Sequence, residues 1–375
     1  MSTAPLHVVQ LNLIRAPKGM APEDLFQHWP SLANIAEAAS GKGVRVSVIQ
    51  SSSYDARIER NGVTYRFLPL DGHRTGRRLA GEVARLGADV LHVHGIDQAR
   101  YACSLKARLP GVPIVLQDHA NRPPRWWRRP HWRRWYASAS AVTFTSTALA
   151  RPFVDARLFA RETRVFAIPE SSCRFTPGNK ALARAETGLR GNPCVVWVGH
   201  LDANKDPLTM LEGLRQAIAH LPGLRLWCAY GNAPLLDEVR SMIGLDPALA
   251  SRVHLLGPVS HDHVQLLLRA ADIFVSASRA ESCGYAALEA MACGATPVLT
   301  DIPAFRTLTA NGRLGALWKP GDAGGLADAI VAMTGHGPTR EQVRSHFDEE
   351  LSFAALGRRW ASAYEAILHG TAAVA

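Results

Sequence analysis

Glu281 and Glu289 lie eight residues apart, across what the sequence reads as a loop running into a helix. A strand-like stretch at 273–277 precedes them, and Gly294 stands where a helix should stop. Leu288, Met291 and Ala292 share one helix face, which turns Glu289 away from the core. At ~1.5 Å of rise per residue, a helical span of this length sets the two carboxylates on the order of 10 Å apart. Main-chain N–H groups at the helix start, around Cys283, Gly284 and Tyr285, fall between them and favour an anion. Two hydroxyl-binding carboxylates flanking an anion cradle suit a ligand with a sugar, a diphosphate and a ribose in a row.

The same segment carries Ser-x-x-Glu-Ser-x-Gly at 278–284 and Glu-Ala-Met-Ala-Cys-Gly-x-x-Pro at 289–297. In that setting the Glu-x7-Glu pair closely resembles the signature of glycosyltransferase family 4, whose members have the two-domain GT-B fold. Other matches follow in the family's order. The run Val-Trp-Val-Gly-His-Leu-Asp-Ala-Asn-Lys-Asp-Pro at 196–207 resembles the family's strand, its glycine turn at Gly199 and its phosphate-binding lysine, Lys205. Gly231 and Asn232 follow the next strand as the family's nucleotide-contacting turn does, and the stretches 253–257 and 271–275 complete the pattern. The resemblance is strong over 190–335 and traceable over 87–150.

It implies a retaining glycosyltransferase that moves a sugar from a UDP- or GDP-linked donor to an acceptor hydroxyl. With no Asp-x-Asp pair where a sugar-nucleotide metal would sit and no His/Cys cluster at ligand spacing, the expected transfer needs no metal ion or other cofactor. The resemblance assigns Glu289 to the ribose and Glu281 to the donor sugar. Lys205, His200, Ser282 and the amides of Cys283, Gly284 and Tyr285 would hold the diphosphate. His119, just past a strand end, matches a family histidine that faces the reacting sugar carbon across the cleft, and with Glu281 and Lys205 forms the expected catalytic set. Asp118 and His94 are the neighbouring acceptor-side candidates.

The sequence departs from the family in three places. His200 stands where arginine is usual, offering fewer donors and only partial charge near neutrality. Cys283 replaces a common phenylalanine, with Tyr285 as the nearby aromatic. A longer loop at 14–30, holding Lys18 and Gly19, takes the place of the glycine-rich loop after the first strand. These departures motivate a rival reading, a nucleotide-sugar-binding partner without catalysis. A second rival is another GT-B enzyme, a sugar-nucleotide epimerase or a phosphorylase.

The elements that must position these residues alternate along the chain. Strand patterns at 6–13, 43–50, 61–68, 88–95, 112–117 and 141–146, with a helix at 31–40, predict a parallel, doubly wound sheet. A linker with two prolines and a glycine spans 168–179, and the strand at 194–198 opens a second such domain. The 375 residues suffice for two cores. The expected architecture is α/β: two Rossmann-like domains, 1–170 and 171–340, facing a central cleft, with 341–375 a C-terminal helix packing back on the first.

No apolar run approaches the roughly 20 residues that span a bilayer. The start of the chain reads without a leader peptide, and six cysteines without paired or metal-type spacing read as reduced thiols of a cytoplasmic protein. The net charge of +10 is uneven: residues 1–170 carry 24 Lys+Arg against 13 Asp+Glu, or +11, and the rest −1. Such a surplus suits an anionic partner, unless the arginines are simply solvated. Five arginines and four tryptophans crowd into 125–135, among them Arg125, Trp126, Trp127, Arg128, Arg129 and Trp132. That mixture suits an anionic membrane interface or a helix docked on its own core, with single-stranded nucleic acid a lesser possibility and not the expected partner. The acceptor expected on this basis is a lipid-linked saccharide or another envelope precursor, at the inner face of the cell membrane.

Overall fold

A computed structural model describes residues 4–29, 31–41, 43–70 and 75–369. The chain forms two α/β units, with boundaries at Ser172/Cys173 and again at Ser352/Phe353.

The first unit is built on eight strands: β1 (Leu6–Asn12), β2 (Val44–Ser51), β3 (Ala56–Arg60), β4 (Val63–Leu68), β5 (Val90–His94), β6 (Ile114–Gln117), β7 (Ala141–Phe144) and β8 (Arg164–Ala167). Their order is β3-β4-β2-β1-β5-β6-β7-β8. Strands such as β1 and β6 are buried on both faces, as helices packed on either side of a parallel sheet require. The sheet is not wholly parallel, however. β3 runs antiparallel to β4 through a turn in which Asn61 and Gly62 both have positive φ. The sequence pattern missed β3 because its residues, Ala-Arg-Ile-Glu-Arg, alternate between half-buried and exposed at the sheet edge and carry little apolar signal. The loop at 14–30 also hides a short helix, Pro22–His28, which buries Leu25.

The second unit has six parallel strands: β9 (Cys194–Gly199), β10 (Arg225–Tyr230), β11 (Val253–Gly257), β12 (Ile273–Ser276), β13 (Thr296–Thr300) and β14 (Ala316–Trp318). Their order is β11-β10-β9-β12-β13-β14. The chain therefore winds outward from β9 in one direction and resumes beside it at β12 in the other. The first sheet reverses in the same way between β1 and β5. In open α/β sheets ligands bind beyond the carboxyl ends of the strands at such reversals.

The C-terminal stretch is not one helix returning to the first unit. Residues 341–352 belong to the second unit, because Val343, Phe347 and Leu351 are buried in its core. The return begins at the helix Phe353–His369, whose Leu356, Trp360 and Tyr364 are fully buried in the first unit's core beside Ile35 and Ala36 of the Ser31–Ala39 helix.

Candidate functional site

In the second unit, two loops meet across the β9/β12 reversal. The loop after β9 runs from His200 to Asp206, where a positive φ turns the chain into the helix Pro207–His220. Lys205 donates its backbone N–H to the Asp202 carboxylate at 2.9 Å, and its Nζ pairs with Glu281 Oε1 in the loop after β12. Arg279 pairs with Asp206 at 2.6 Å, the Arg279 N–H reaches the Asn204 carbonyl at 2.8 Å, and Asn204 Nδ2 donates to the Ala280 carbonyl at 3.1 Å. Lys205 is thus no solvated surface lysine. The side chains assigned to phosphate and to sugar neutralise each other here, with 23% and 16% of their surface exposed.

His200 is tied to the turn after β10. Its Nδ1 accepts the Asn232 backbone N–H at 3.1 Å, so the neutral ring carries its proton on Nε2, free to donate to an anion. Gly231 lies against the same ring: a Cβ there would stand 3.4 Å from it. Gly199 closes β9 directly before this histidine.

Beyond Glu281, the chain enters the helix Tyr285–Ala292 through Gly284, whose φ is +73°. A Cβ at that position would fall 2.6 Å from the Phe305 ring, so both conformation and space call for glycine. Cys283 is fully buried, so its thiol is packed in the core of the second unit. Ser282 is half-buried and Tyr285 is 46% exposed.

Glu289, on the helix face turned away from the core, is covered by a neighbouring side chain. Only 12% of its side chain is exposed, and its Oε1 lies 2.6 Å from Nε2 of His261. Burial pushes its pKa up, against the pull of His261. The Phe175 ring rests on His261, with centroids 4.6 Å apart. His261, Arg279 and Asp206 escaped the sequence reading. For His261 a signal existed: it follows Ser260, the N-cap of a helix just past the end of β11.

In the first unit, Asp118 and His119 lie just beyond β6, next to His94 at the end of β5. Asp118 is buried, and its carboxylate accepts the Asn121 N–H at 3.0 Å. Burial, with Glu170 close by, pushes its pKa up to about 6. His119 Nδ1 lies 2.8 Å from Oε2 of Glu170. Glu170, another residue the sequence reading passed over, sits in the linker directly after Pro169 and gives no local sign of a partner. His94 stacks between His119 (5.6 Å) and His92 (4.4 Å), and Trp360 stacks on His92 (4.3 Å).

Lys18 and Gly19 are exposed in the first loop, where the Tyr54 hydroxyl donates to the Gly19 carbonyl at 3.2 Å. The tryptophans of 125–135 divide into two pairs. Trp126 and Trp127 are 73% and 53% exposed, with Arg125 over the Trp127 ring and Arg128 exposed beside them. Trp132 and Trp135 instead pack, half-buried, on the core around Tyr136. Arg129 is half-buried, with Nε reaching the Pro124 carbonyl at 3.4 Å.

Residues 31–169 match the family described as Glycosyltransferase Family 4, and residues 192–336 that described as Glycosyl transferases group 1. The chain belongs to glycosyltransferase family 4. It is 34% identical over 201 residues to D-inositol 3-phosphate glycosyltransferase of Mycobacteroides abscessus, a match covering 52% of this chain and 42% of that protein. It is 27% identical over 284 residues to GDP-mannose:cellobiosyl-diphosphopolyprenol alpha-mannosyltransferase of Xanthomonas oryzae pv. oryzae, covering 73% of each. The chain spans about half the length of the D-inositol 3-phosphate glycosyltransferases it matches. Among solved structures, Anabaena HepE in complex with UDP and glucose superposes with a TM-score of 0.64 at 19% identity, covering 96% of this family 4 chain and 99% of that one. The fold is GT-B.

Proposed function

We propose that this family 4 chain transfers a sugar from a nucleotide-diphosphate-sugar to an acceptor hydroxyl, with retention at the anomeric carbon. The observation that supports this most is the Lys205–Glu281 pair across the β9/β12 reversal, with Glu289 about one turn into the helix that follows. The bond from the anomeric carbon to the diphosphate oxygen breaks as the acceptor oxygen bonds to the same face of the sugar. The acceptor's proton passes to a donor phosphate oxygen. Lys205 and the Nε2–H of His200 take up the charge of the departing diphosphate, together with the main chain at the start of the Tyr285–Ala292 helix. In this reading Lys205 exchanges Glu281 for phosphate, which frees Glu281 for sugar hydroxyls, and Glu289 exchanges His261 for the ribose. His119 is assigned to the reacting sugar by family resemblance. With Lys205 as the cation and His200 as a neutral Nε2–H donor on the diphosphate, the transfer in this reading needs no metal ion.

The acceptor class we propose is a lipid-linked saccharide of the cell envelope, met at the cytoplasmic face of the membrane. Trp126 and Trp127, exposed among arginines, suit an anionic bilayer interface, and the Xanthomonas relative's name gives it a diphosphopolyprenol-linked acceptor.

A thermal-shift series with UDP-glucose, GDP-mannose, UDP and GDP tests the donor site. A ligand at 100 times its dissociation constant stabilises the folded chain by about 2.7 kcal/mol. Lys205→Ala and Glu289→Ala are expected to abolish the shift and nucleotide release, while chelation by EDTA leaves both unchanged in the parent chain. A shift that survives both substitutions refutes the site.

A further inference from the structure

Beneath His119 the first unit holds hydrogen bonds that fix which nitrogen of each stacked histidine carries a proton. Gln117 Oε1 can only accept, so His92 donates to it from Nε2 (3.1 Å) and accepts the Tyr364 hydroxyl at Nδ1 (2.7 Å). Gln10 Oε1 likewise makes His94 a donor at Nε2 (3.2 Å), while Gln10 Nε2 donates to the Tyr364 oxygen (3.3 Å). His119 reverses the pattern. Its Nδ1 faces Oε2 of Glu170 at 2.8 Å, and a carboxylate oxygen only accepts, so here Nδ1 is the donor.

We infer that Glu170 is a positioning residue for His119: by accepting the hydrogen bond from Nδ1–H it holds the ring in the tautomer whose Nε2 offers a lone pair to a ligand hydroxyl. The inference rests on the reading of His119 as a site residue. The stack from Trp360 through His92 and His94 fixes the ring's plane, with 23° between the His94 and His119 rings, and Glu170 fixes its rotation within that plane. Only 7% of the Glu170 side chain is exposed, against 40% for His119, so the carboxylate is shielded while the ring reaches solvent. Burial pulls His92 down to about 3 and His94 well below the usual histidine range, so both stay neutral and place no second cation under His119. A free histidine side chain favours the other tautomer, Nε2–H, which would offer a donor where a sugar hydroxyl now finds an acceptor.

The test is nitrogen-15 NMR of the full chain with labelled histidine, at about pH 9, on the parent, Glu170→Ala and Glu170→Asp. The expected spectrum assigns Nε2–H to His92 and His94 and Nδ1–H to His119. Glu170→Ala moves His119 alone to Nε2–H, and Glu170→Asp keeps Nδ1–H. The His92 and His94 signals report whether each variant is folded, and the parent spectrum decides the tautomer without any variant. In parallel, nucleotide release from UDP-glucose and GDP-mannose is expected to lose about tenfold in kcat in Glu170→Ala at near-parent KM, and Glu170→Ala added to His119→Ala is expected to cost nothing further. An Nε2–H tautomer at His119 in the parent, an unchanged tautomer in Glu170→Ala, or additive losses in the double variant overturns the inference. Parent-level turnover in His119→Ala removes His119 from the catalytic reading, while a tautomer that follows Glu170 still supports the positioning.

Discussion

Replacing Asp118 with asparagine should stabilise the first unit near neutral pH and do nothing in acid. An ordinary aspartate titrates near 3.8, whereas in the folded chain burial, helped by Glu170, moves Asp118 to about 6. The native state therefore holds a proton that the unfolded chain has released between those two values. Stability falls as pH rises through that window and stays lowered above it. Two pKa units at about 1.4 kcal/mol each give a cost of roughly 3 kcal/mol at pH 7, an order-of-magnitude figure. Asparagine is close in size and keeps an oxygen for the Asn121 N–H, now at 3.0 Å from the carboxylate, so the substitution isolates the charge. His92 and His94 act in the opposite sense. Their lowered pKa values contribute stability above the ordinary histidine range that is lost as pH falls, so the parent curve alone mixes both effects. The assay is urea denaturation of parent and Asp118→Asn at half-unit steps from about pH 4 to 7.5, read as a difference curve in which the histidines cancel. The expected difference is near zero at about pH 4 and grows to a plateau by about pH 7. Curves that stay parallel across the range refute the burial argument.

Two further outcomes are expected. Gly284→Ala and Gly257→Ala introduce the same methyl at nearly the same φ, +73° and +74°, but only the first meets a neighbour, Phe305 at 2.6 Å. The backbone cost of about 1–2 kcal/mol is common to both, and overpacking adds about 1–3 kcal/mol at 284 alone; equal losses on denaturation contradict this packing. The chain should also sediment with vesicles rich in anionic lipid at low salt, and Trp126→Ser/Trp127→Ser should release it while Trp132→Ser, a core change, lowers melting instead. Binding that ignores the exposed pair counts against the membrane surface.

The parts of the second unit that were legible in the sequence are local ones. The Glu-x7-Glu segment, the turn at Gly199 and the strand runs each lie within a few consecutive residues, where periodicity and turn chemistry act. What was not legible is which loop meets which. Lys205 and Glu281 are 76 residues apart, and they touch because β12 returns to lie beside β9. That strand order follows from how the whole unit winds, and no window of sequence contains it. Glu289 shows the same limit on a smaller scale. Its helix face was readable, but the His261 that covers it comes from a different helix, 28 residues earlier.

The first unit extends the point from contacts to chemistry. His119 was readable as a strand-end histidine, yet the property that decides what it can do, the nitrogen that bears its proton, is set by Glu170, 51 residues downstream. The neutral state of His92 depends on burial under Trp360 and on Tyr364, both delivered by a helix that begins at Phe353. An Arg-Trp cluster makes the converse case. Its composition was conspicuous, but the helix packs Trp132, half-buried, against the core and leaves Trp126 and Trp127 outside, and only packing separates the two. Residue types thus identify which groups can do chemistry, while their protonation and accessibility are set by neighbours that only the completed fold supplies.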